Sequence, residues 1–194
     1  MVSHLHPDHF IDLVPLRHYL AYQLGTPRHV RVIAPIGLAG RLDALHDRPG
    51  FTAETLDCEP LPAATMAIGD LTLEARPVRH TADSHAIRVG PPDGRGLVYS
   101  GDCGNAADLA PLIQPGDTLL VEVTFGAGPV PPGSAHLDAR AIAGLVRSTG
   151  PGRVLLTHLQ MGLDPTEPVR IVEEAFGGRV SLVEPGDRFD LPGT

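Results

Sequence analysis

The first part of the chain alternates between amphipathic stretches and a short β-branched run. Apolar residues recur at helical spacing over residues 10–24 and again over residues 35–46, and the run 30–34 separates them. Pro15 lies early in the first stretch, where it can kink the helix or delay its start. This alternation of helix and strand predicts an α/β class of fold.

Between residues 51 and 99 the apolar positions change to a period of two, which is typical of half-buried strands. Glycine and proline clusters at 69–70 and 91–94 interrupt the alternation and predict turns. The pattern therefore predicts an antiparallel meander with strands at 52–56, 71–78, 85–89 and 96–99.

The remainder of the chain returns to alternating strands and helices, which continues the α/β pattern. Its apolar runs predict strands at 117–123, 153–157 and 179–183, and its amphipathic stretches predict helices at 106–110, 138–147 and 165–176.

Three histidines and one aspartate lie together near the start of the chain, in residues 3–9. A strand end precedes this stretch and a helix follows it, so we expect it to form a loop. Alternation places His4 and His6 on one side, and the intervening proline lets Asp8 and His9 face a second point. Imidazoles and a carboxylate suit zinc, manganese or iron, and the layout suits two metal ions. The alternative is a histidine-rich surface tract.

Further candidate ligands follow predicted strands. His80 comes just after the strand 71–78, and His85 competes with it for the same role. Asp102 follows the strand 96–99, where Gly101 permits a tight turn and Asn105 can cap the next helix in place of Asp102. His158 follows the strand 153–157.

Two other residues are candidates for acid–base chemistry. His136 follows a glycine- and proline-rich loop at 126–134, a type of loop that often borders active sites. The alternative for His136 is a surface histidine at a helix start. Glu122 lies at the end of the strand 117–123 and is the possible partner of His136. Cys103 is interpreted as a small packed residue.

Composition narrows the function classes. The chain has 194 residues, 42% of them hydrophobic, and a net charge of −8 in which every basic residue other than histidine is arginine. An acidic chain without basic clusters is a poor candidate for binding long nucleic acid. Two cysteines make no disulfide framework, and no apolar run or leader sequence suggests a membrane or secreted protein. A cytoplasmic location is the default expectation.

The histidine-rich stretch resembles the signature of the metallo-β-lactamase superfamily, and within it the ribonuclease Z and cyclic-nucleotide phosphodiesterase branch. The strand-like run 86–89 is similar to the one that follows the family's third ligand, which favours His80 over His85. Glu122 and Thr124 match a His-Glu-Ala-Thr-Phe pattern, whereas Val121 departs from it. The resemblance covers essentially the whole chain and implies a single domain, 1–194, built as an αββα sandwich.

The resemblance also implies a ligand set for two divalent metal ions, zinc or manganese, that activate a water molecule. Asp8 or Asp102 would orient that water, and His136, partnered by Glu122, would give a proton to the leaving group. The implied ligands are His4, His6 and His80 for the first metal, Asp8, His9 and His158 for the second, and Asp102 as the bridge.

Several functions remain open. The first is a phosphodiesterase acting on a cyclic nucleotide or another small phosphodiester. The second is a ribonuclease Z-type endonuclease for transfer-RNA 3′ ends, although residues 81–101 form a short hairpin where that family carries a long arm. The third is a lactone or thioester hydrolase, and the fourth is an inactive fragment.

The start of the chain differs from the resembling families, in which several strands precede the histidine motif. Met1 stands just before His4, so we expect a sandwich that lacks its first strands. A longer natural protein, a homodimer whose second copy covers the gap, or an inactive fragment would each account for this.

Overall fold

Helices and strands alternate through residues 1–190, the part of the chain that the computed structural model describes. They fall into a first unit, Met1–Leu61, and a second unit that begins at Pro62. The α/β class is confirmed in both units. Whether the two units form the single domain that the resemblance implies stays a prediction.

The first unit contains two parallel strands, two helices and their core. Val2, Leu5 and Phe10 of the loop segment are buried in that core. The N–H of Val2 donates to the Ile33 carbonyl (2.9 Å), but residues 2–3 form no strand, so the predicted strand end is wrong. The elements are α1 (Leu13–Tyr22), β1 (Val30–Ala34), α2 (Leu38–Leu45) and β2 (Leu56–Pro60).

The predicted strand at 52–56 is wrong, because the Asp43 carboxylate binds backbone N–H groups of this segment. Asp43 accepts hydrogen bonds from the N–H groups of Gly50 (2.6 Å) and Thr52 (2.8 Å). A side chain that satisfies backbone donors in this way favours a local turn over a sheet ladder. Residues Thr52–Glu54 consequently form a 3₁₀ turn, and the strand begins only at Leu56.

The second unit contains a seven-stranded sheet in which the strands follow sequence order. The predicted antiparallel strands 71–78, 85–89 and 96–99 are confirmed, and a strand at 66–68 that was not predicted pairs antiparallel with the first of them. The last four strands of the sheet are parallel. The elements are β3 (Met66–Ile68), β4 (Leu71–Pro77), β5 (His85–Gly90), β6 (Leu97–Tyr99), β7 (Thr118–Glu122), α3 (Ala139–Thr149), β8 (Arg153–Thr157), α4 (Thr166–Phe176) and β9 (Val180–Leu182).

Helices α3 and α4 supply much of the second unit's core through apolar positions at helical spacing. Ile142, Val146 and Val172 are buried against strand residues such as Val154 and Leu156. The predicted helix at 106–110 is shorter than expected, because only a 3₁₀ turn forms there.

A buried ion pair fixes the start of β7. Asp117 accepts hydrogen bonds from the Arg88 guanidinium (2.8 and 3.0 Å) and from the N–H groups of Gly96 and Gln114. Burial alone would raise the pKa of Asp117, but these hydrogen bonds lower it below its ordinary value. The pair therefore joins β5, β7 and the turns between them.

Helix length bears on membrane insertion. Between residues 1 and 190 no helix is long and apolar enough to cross a bilayer.

The parallel part of the sheet determines where the site forms. Tyr99 of β6 lies opposite Leu120 of β7, and Leu120 lies opposite Leu155 of β8. Because parallel strands end at the same edge of a sheet, the residues after β6, β7 and β8 come together.

Candidate metal centre and catalytic site

In the first unit the histidine-rich segment folds so that its rings meet. The ring centroids of His4 and His6 are 4.8 Å apart, and those of His4 and His9 are 4.0 Å apart. Asp8 lies beside His9, with 3.5 Å between its Oδ2 and Nε2 of the ring. His4 is fully buried, whereas the Asp8 side chain is 64% exposed. The four predicted ligands of this unit are thus neighbours, with His4 and His6 in one group of possible ligands and Asp8 and His9 in another, as the sequence predicts.

The local backbone explains that gathering. Pro7 opens a 3₁₀ turn, Pro7–His9, in which the N–H of His9 donates to the His6 carbonyl (3.1 Å). The fixed φ of proline suits the first position of such a turn. Arg41 of α2 holds the segment from outside by donating to the Leu5 carbonyl (2.6 Å).

In the second unit Asp102 is the centre of a cluster of imidazoles. Nε2 of His80 lies 3.6 Å from one carboxylate oxygen of Asp102, and Nε2 of His158 lies 3.6 Å from the other. Gly101 precedes Asp102 with φ +56°, a conformation that glycine adopts without strain. Asn105 caps the next turn by accepting from the N–H of Ala107, as predicted, so Asp102 does not serve as that cap.

His80 has the neighbours expected of a metal-ligating histidine. Its Nδ1 lies 2.8 Å from the Ala135 carbonyl, which can only accept a hydrogen bond. Nδ1 therefore carries the proton, and Nε2 presents its lone pair towards Asp102. His85, the competing candidate, also has its Nδ1 beside a carbonyl, that of Asp83, but it is His80 and not His85 that lies with Asp102.

His158 occupies a strained backbone position. Its φ is +59°, which is costly for a residue with a Cβ and which recurs at functional sites. One third of its side chain is exposed (33%). Its placement just after β8 turns the ring towards Asp102.

Glu122 and His136 form a carboxylate–imidazole pair in which the carboxylate is buried. Oε1 of Glu122 lies 3.0 Å from Nδ1 of His136, and the Glu122 side chain is 1% exposed. The N–H groups of Cys103 and Thr124 also donate to Glu122, each at 3.0 Å. The carboxylate orients the ring so that Nε2 is left for chemistry. The predicted partnership of these two side chains is present in the structure.

His136 also lies within reach of the ligand cluster. One donor atom each from Asp102, His136 and His158 lie within 4.8 Å of one another. The His136 side chain is 20% exposed, and its ring is nearly parallel to that of His158, with centroids 6.0 Å apart. Because Glu122 engages its Nδ1, His136 fits an acid–base role beside the ligands.

Thr124 takes part in the site although the sequence analysis used it only as a motif match. Its hydroxyl lies 2.7 Å from Glu122, 3.2 Å from Nδ1 of His136 and 3.0 Å from Nδ1 of His158. The signal that could have identified it was the agreement of both Glu122 and Thr124 with the His-Glu-Ala-Thr-Phe pattern.

Cys103 is packed beside the site, as the sequence analysis interpreted it. It is fully buried, and burial raises the pKa of its thiol to about 12. Its thiol donates to the Asn105 carbonyl (3.2 Å), and no group of possible metal ligands in residues 1–190 includes it.

The donor chemistry of both clusters fits divalent metal ions. Neutral imidazole nitrogens and carboxylate oxygens are the ligand types that zinc and manganese accept. The hydrogen bond from Nδ1 of His80 to a carbonyl is the outer-sphere support that such ligands usually have. The assignment of individual ligands to individual metal ions stays a prediction.

Comparison with known families agrees with this chemistry. Residues 1–159 match the family model described as "Beta-lactamase superfamily domain". The chain belongs to the metallo-β-lactamase superfamily. Membership confirms the resemblance of the histidine motif and supports a metal-dependent hydrolase.

Individual proteins match the chain over most of their own length. ML1173 of Mycobacterium leprae is 28% identical, over 98% of this chain and 69% of its own. The crystal structure of YhfI from Bacillus subtilis has a TM-score of 0.79 and 20% identity, covering 95% of this chain and 74% of its own. Human tRNase Z, short form, has a TM-score of 0.68 and 18% identity, covering 98% and 78%. The metallo-β-lactamase fold is thereby confirmed.

Proposed function

We propose that this superfamily member is a metal-dependent phosphodiesterase that acts on a cyclic nucleotide or another small phosphodiester. The observation that carries the proposal is the Glu122–His136 pair beside Asp102. Hydrolysis of such a diester expels an alkoxide, which needs a proton as the bond breaks. A thioester hydrolase has less need of this acid, because a thiolate leaves without a proton. Opening a lactone expels an alkoxide, so the substrate assay below distinguishes a lactonase.

The metal part of the proposal uses the seven predicted ligands. His4, His6, Asp8 and His9 are gathered in the first unit, and His80, Asp102 and His158 in the second. That both sets hold the same two zinc or manganese ions rests on the order of the motifs along the chain. Such ions lower the pKa of a bound water and neutralise charge on phosphoryl oxygens.

The chain's own residues do the remaining work. Asp102 lies at the centre of the cluster as a ligand, and either Asp102 or the exposed Asp8 would orient the attacking water. As an imidazolium, His136 gives its Nε2 proton to the departing oxygen and keeps its Nδ1 proton, which Glu122 accepts in a hydrogen bond that stabilises the charged ring. The burial of Glu122 strengthens this interaction, because the local dielectric is low.

A panel of substrates tests the proposal. Protein reconstituted with zinc or manganese is assayed with 3′,5′-cyclic AMP, bis-para-nitrophenyl phosphate, a lactone and a thioester. We expect hydrolysis of both phosphodiesters, and its loss after chelation. Preferential turnover of the lactone or the thioester would contradict the assignment.

Transfer-RNA processing is the second candidate, because one fold neighbour is a tRNase Z. An endonuclease of that type would cleave precursor transfer RNA at its 3′ end and leave the cyclic nucleotide intact. Adding precursor transfer RNA to the same panel separates the two functions.

A further inference from the structure

The Thr124 hydroxyl touches three functional side chains at once. It lies 2.7 Å from Oε2 of Glu122, 3.2 Å from Nδ1 of His136 and 3.0 Å from Nδ1 of His158. A threonine hydroxyl has one proton to donate and two lone pairs that accept. Three partners therefore use its full hydrogen-bonding capacity.

The direction of each hydrogen bond follows from Glu122. Each oxygen of this carboxylate receives one backbone N–H, from Cys103 on one side and from Thr124 on the other, so the group acts as an acceptor. The hydroxyl proton of Thr124 consequently goes to Glu122. The Thr124 oxygen can then only accept, so Nδ1 of His158 donates to it. The Nδ1 proton of His136 is shared between Oε1 of Glu122 (3.0 Å) and the Thr124 oxygen (3.2 Å).

The backbone around Thr124 holds the hydroxyl in place. Thr124 follows the end of β7, and its carbonyl accepts a hydrogen bond from the N–H of Gln160 (3.1 Å), two residues beyond His158. Its β-branched side chain has restricted rotamers. The hydroxyl is thus a fixed point between the segments that carry the two histidines.

We propose that Thr124 is a positioning residue that sets the tautomer of His158 and supports that of His136. Both rings then carry a proton on Nδ1 and present Nε2, in His158 towards Asp102 and in His136 for proton transfer. The proposal rests on the proposed function for its catalytic consequence. The tautomer itself is a property of this chain's own residues.

The test compares two substitutions of Thr124 with a matched control. Thr124→Val keeps the shape and removes the hydroxyl, whereas Thr124→Ser restores it. Thr118→Val makes the same change at the other end of β7, where the buried hydroxyl of Thr118 makes no hydrogen bond within residues 1–190. Unfolding curves for all three establish that each variant is folded.

The first readout needs neither metal nor substrate. Long-range ¹H–¹⁵N NMR of the histidine rings, at about pH 8 where imidazoles are neutral, reports which nitrogen carries the proton. We expect Nδ1–H for His158 in the parent protein, in Thr124→Ser and in Thr118→Val. In Thr124→Val we expect a shift towards Nε2–H, the tautomer that a free imidazole prefers.

The second readout is the reaction. Removing an outer-sphere partner typically costs about 10–100-fold in metal affinity or activity, so we expect a fall of that size for Thr124→Val, with recovery in Thr124→Ser. An unchanged His158 tautomer in folded Thr124→Val overturns the positioning role. A changed tautomer in a protein that hydrolyses no phosphodiester supports the positioning role and refutes the proposed function.

Discussion

His136 is the residue on which the acid–base assignment depends. Its Nδ1 is held by Glu122, so Nε2 is the atom that can donate to a leaving group. We expect His136→Ala to reduce kcat by roughly 10²–10⁴-fold on a cyclic nucleotide, the usual size for general acid catalysis. The loss should shrink on bis-para-nitrophenyl phosphate, because nitrophenolate leaves without a proton.

A surface histidine provides the control for this substitution. His29 is half exposed and pairs with Asp57, so His29→Ala should leave both activities unchanged. Metal content should be the same in both variants. If His136→Ala instead loses metal, the side chain is a ligand and the acid role is wrong.

His80 and His85 make a matched pair for testing the ligand set. Nε2 of His80 faces Asp102, whereas His85 is turned to the carbonyl of Asp83. We expect about two metal equivalents per chain in the parent protein, as in dinuclear hydrolases. His80→Ala should lower that content and His85→Ala should not. Elemental analysis after reconstitution and dialysis measures both, and metal loss in only the His85 variant would reverse the assignment.

At the scale of elements, Gly104 holds two loops together. A Cβ at this position would lie 2.7 Å from the Ala135 backbone and 2.9 Å from the Arg79 carbonyl, so a loop must move. The residues that follow these two are His80 and His136. We therefore expect Gly104→Ala to lower kcat while the protein stays folded.

Helix α3 offers the matching control. Nothing lies within 4 Å of a Cβ built on Gly144, which is exposed in the helix. Gly144→Ala should keep full activity and stabilise the protein by about 0.5–1 kcal/mol. Equal kcat values in the two alanine variants would show that the close packing at Gly104 does not position the histidines.

The Arg88–Asp117 pair anchors β7 to β5 and should dominate local stability. Removing one partner of a buried ion pair leaves an uncompensated charge, so Asp117→Asn should cost about 3–5 kcal/mol in urea unfolding at neutral pH. The folded-state pKa of Asp117 is lowered, because its hydrogen bonds outweigh burial.

The pH dependence of this contribution has a defined sign. The stabilisation is fully present above the unfolded-state pKa of about 3.9, and it is lost as pH falls through the lower folded-state pKa of Asp117. The difference in unfolding free energy between the parent and Asp117→Asn should therefore narrow only in strong acid. A difference that narrows between pH values of about 5 and 7 would contradict this account.

At the scale of the whole molecule, net charge limits the partners. Affinity for nucleic acid comes largely from counterions that are released when basic side chains contact phosphates. A chain with a net charge of −8 and no lysine is expected to release few of them. We expect binding to precursor transfer RNA to be weaker than about 10⁻⁶ M at physiological salt. Fluorescence anisotropy over a salt series measures it, and tighter binding would favour the endonuclease.

The sequence by itself determined the superfamily, most elements and the candidate ligands. Residues 3–9 carry their chemistry in consecutive positions, and β1 and β8 begin and end where their apolar runs do. Local patterns sufficed in these places because alternation and turn residues act within a few positions of each other. Where a long-range contact competed, as with Asp43 and the turn Thr52–Glu54, the local pattern failed.

Only the tertiary structure decided which polar side chains of the second unit's site form hydrogen bonds with each other. Thr124 and His158 are 34 residues apart, and the parallel register of β7 and β8 brings them within hydrogen-bonding distance. The loop before α3 brings His136 to Glu122 and Thr124. The tautomers of the histidines follow from those contacts and from no local pattern. Sequence periodicity reports which face of an element is buried, whereas the partner of a polar atom depends on how separate elements pack.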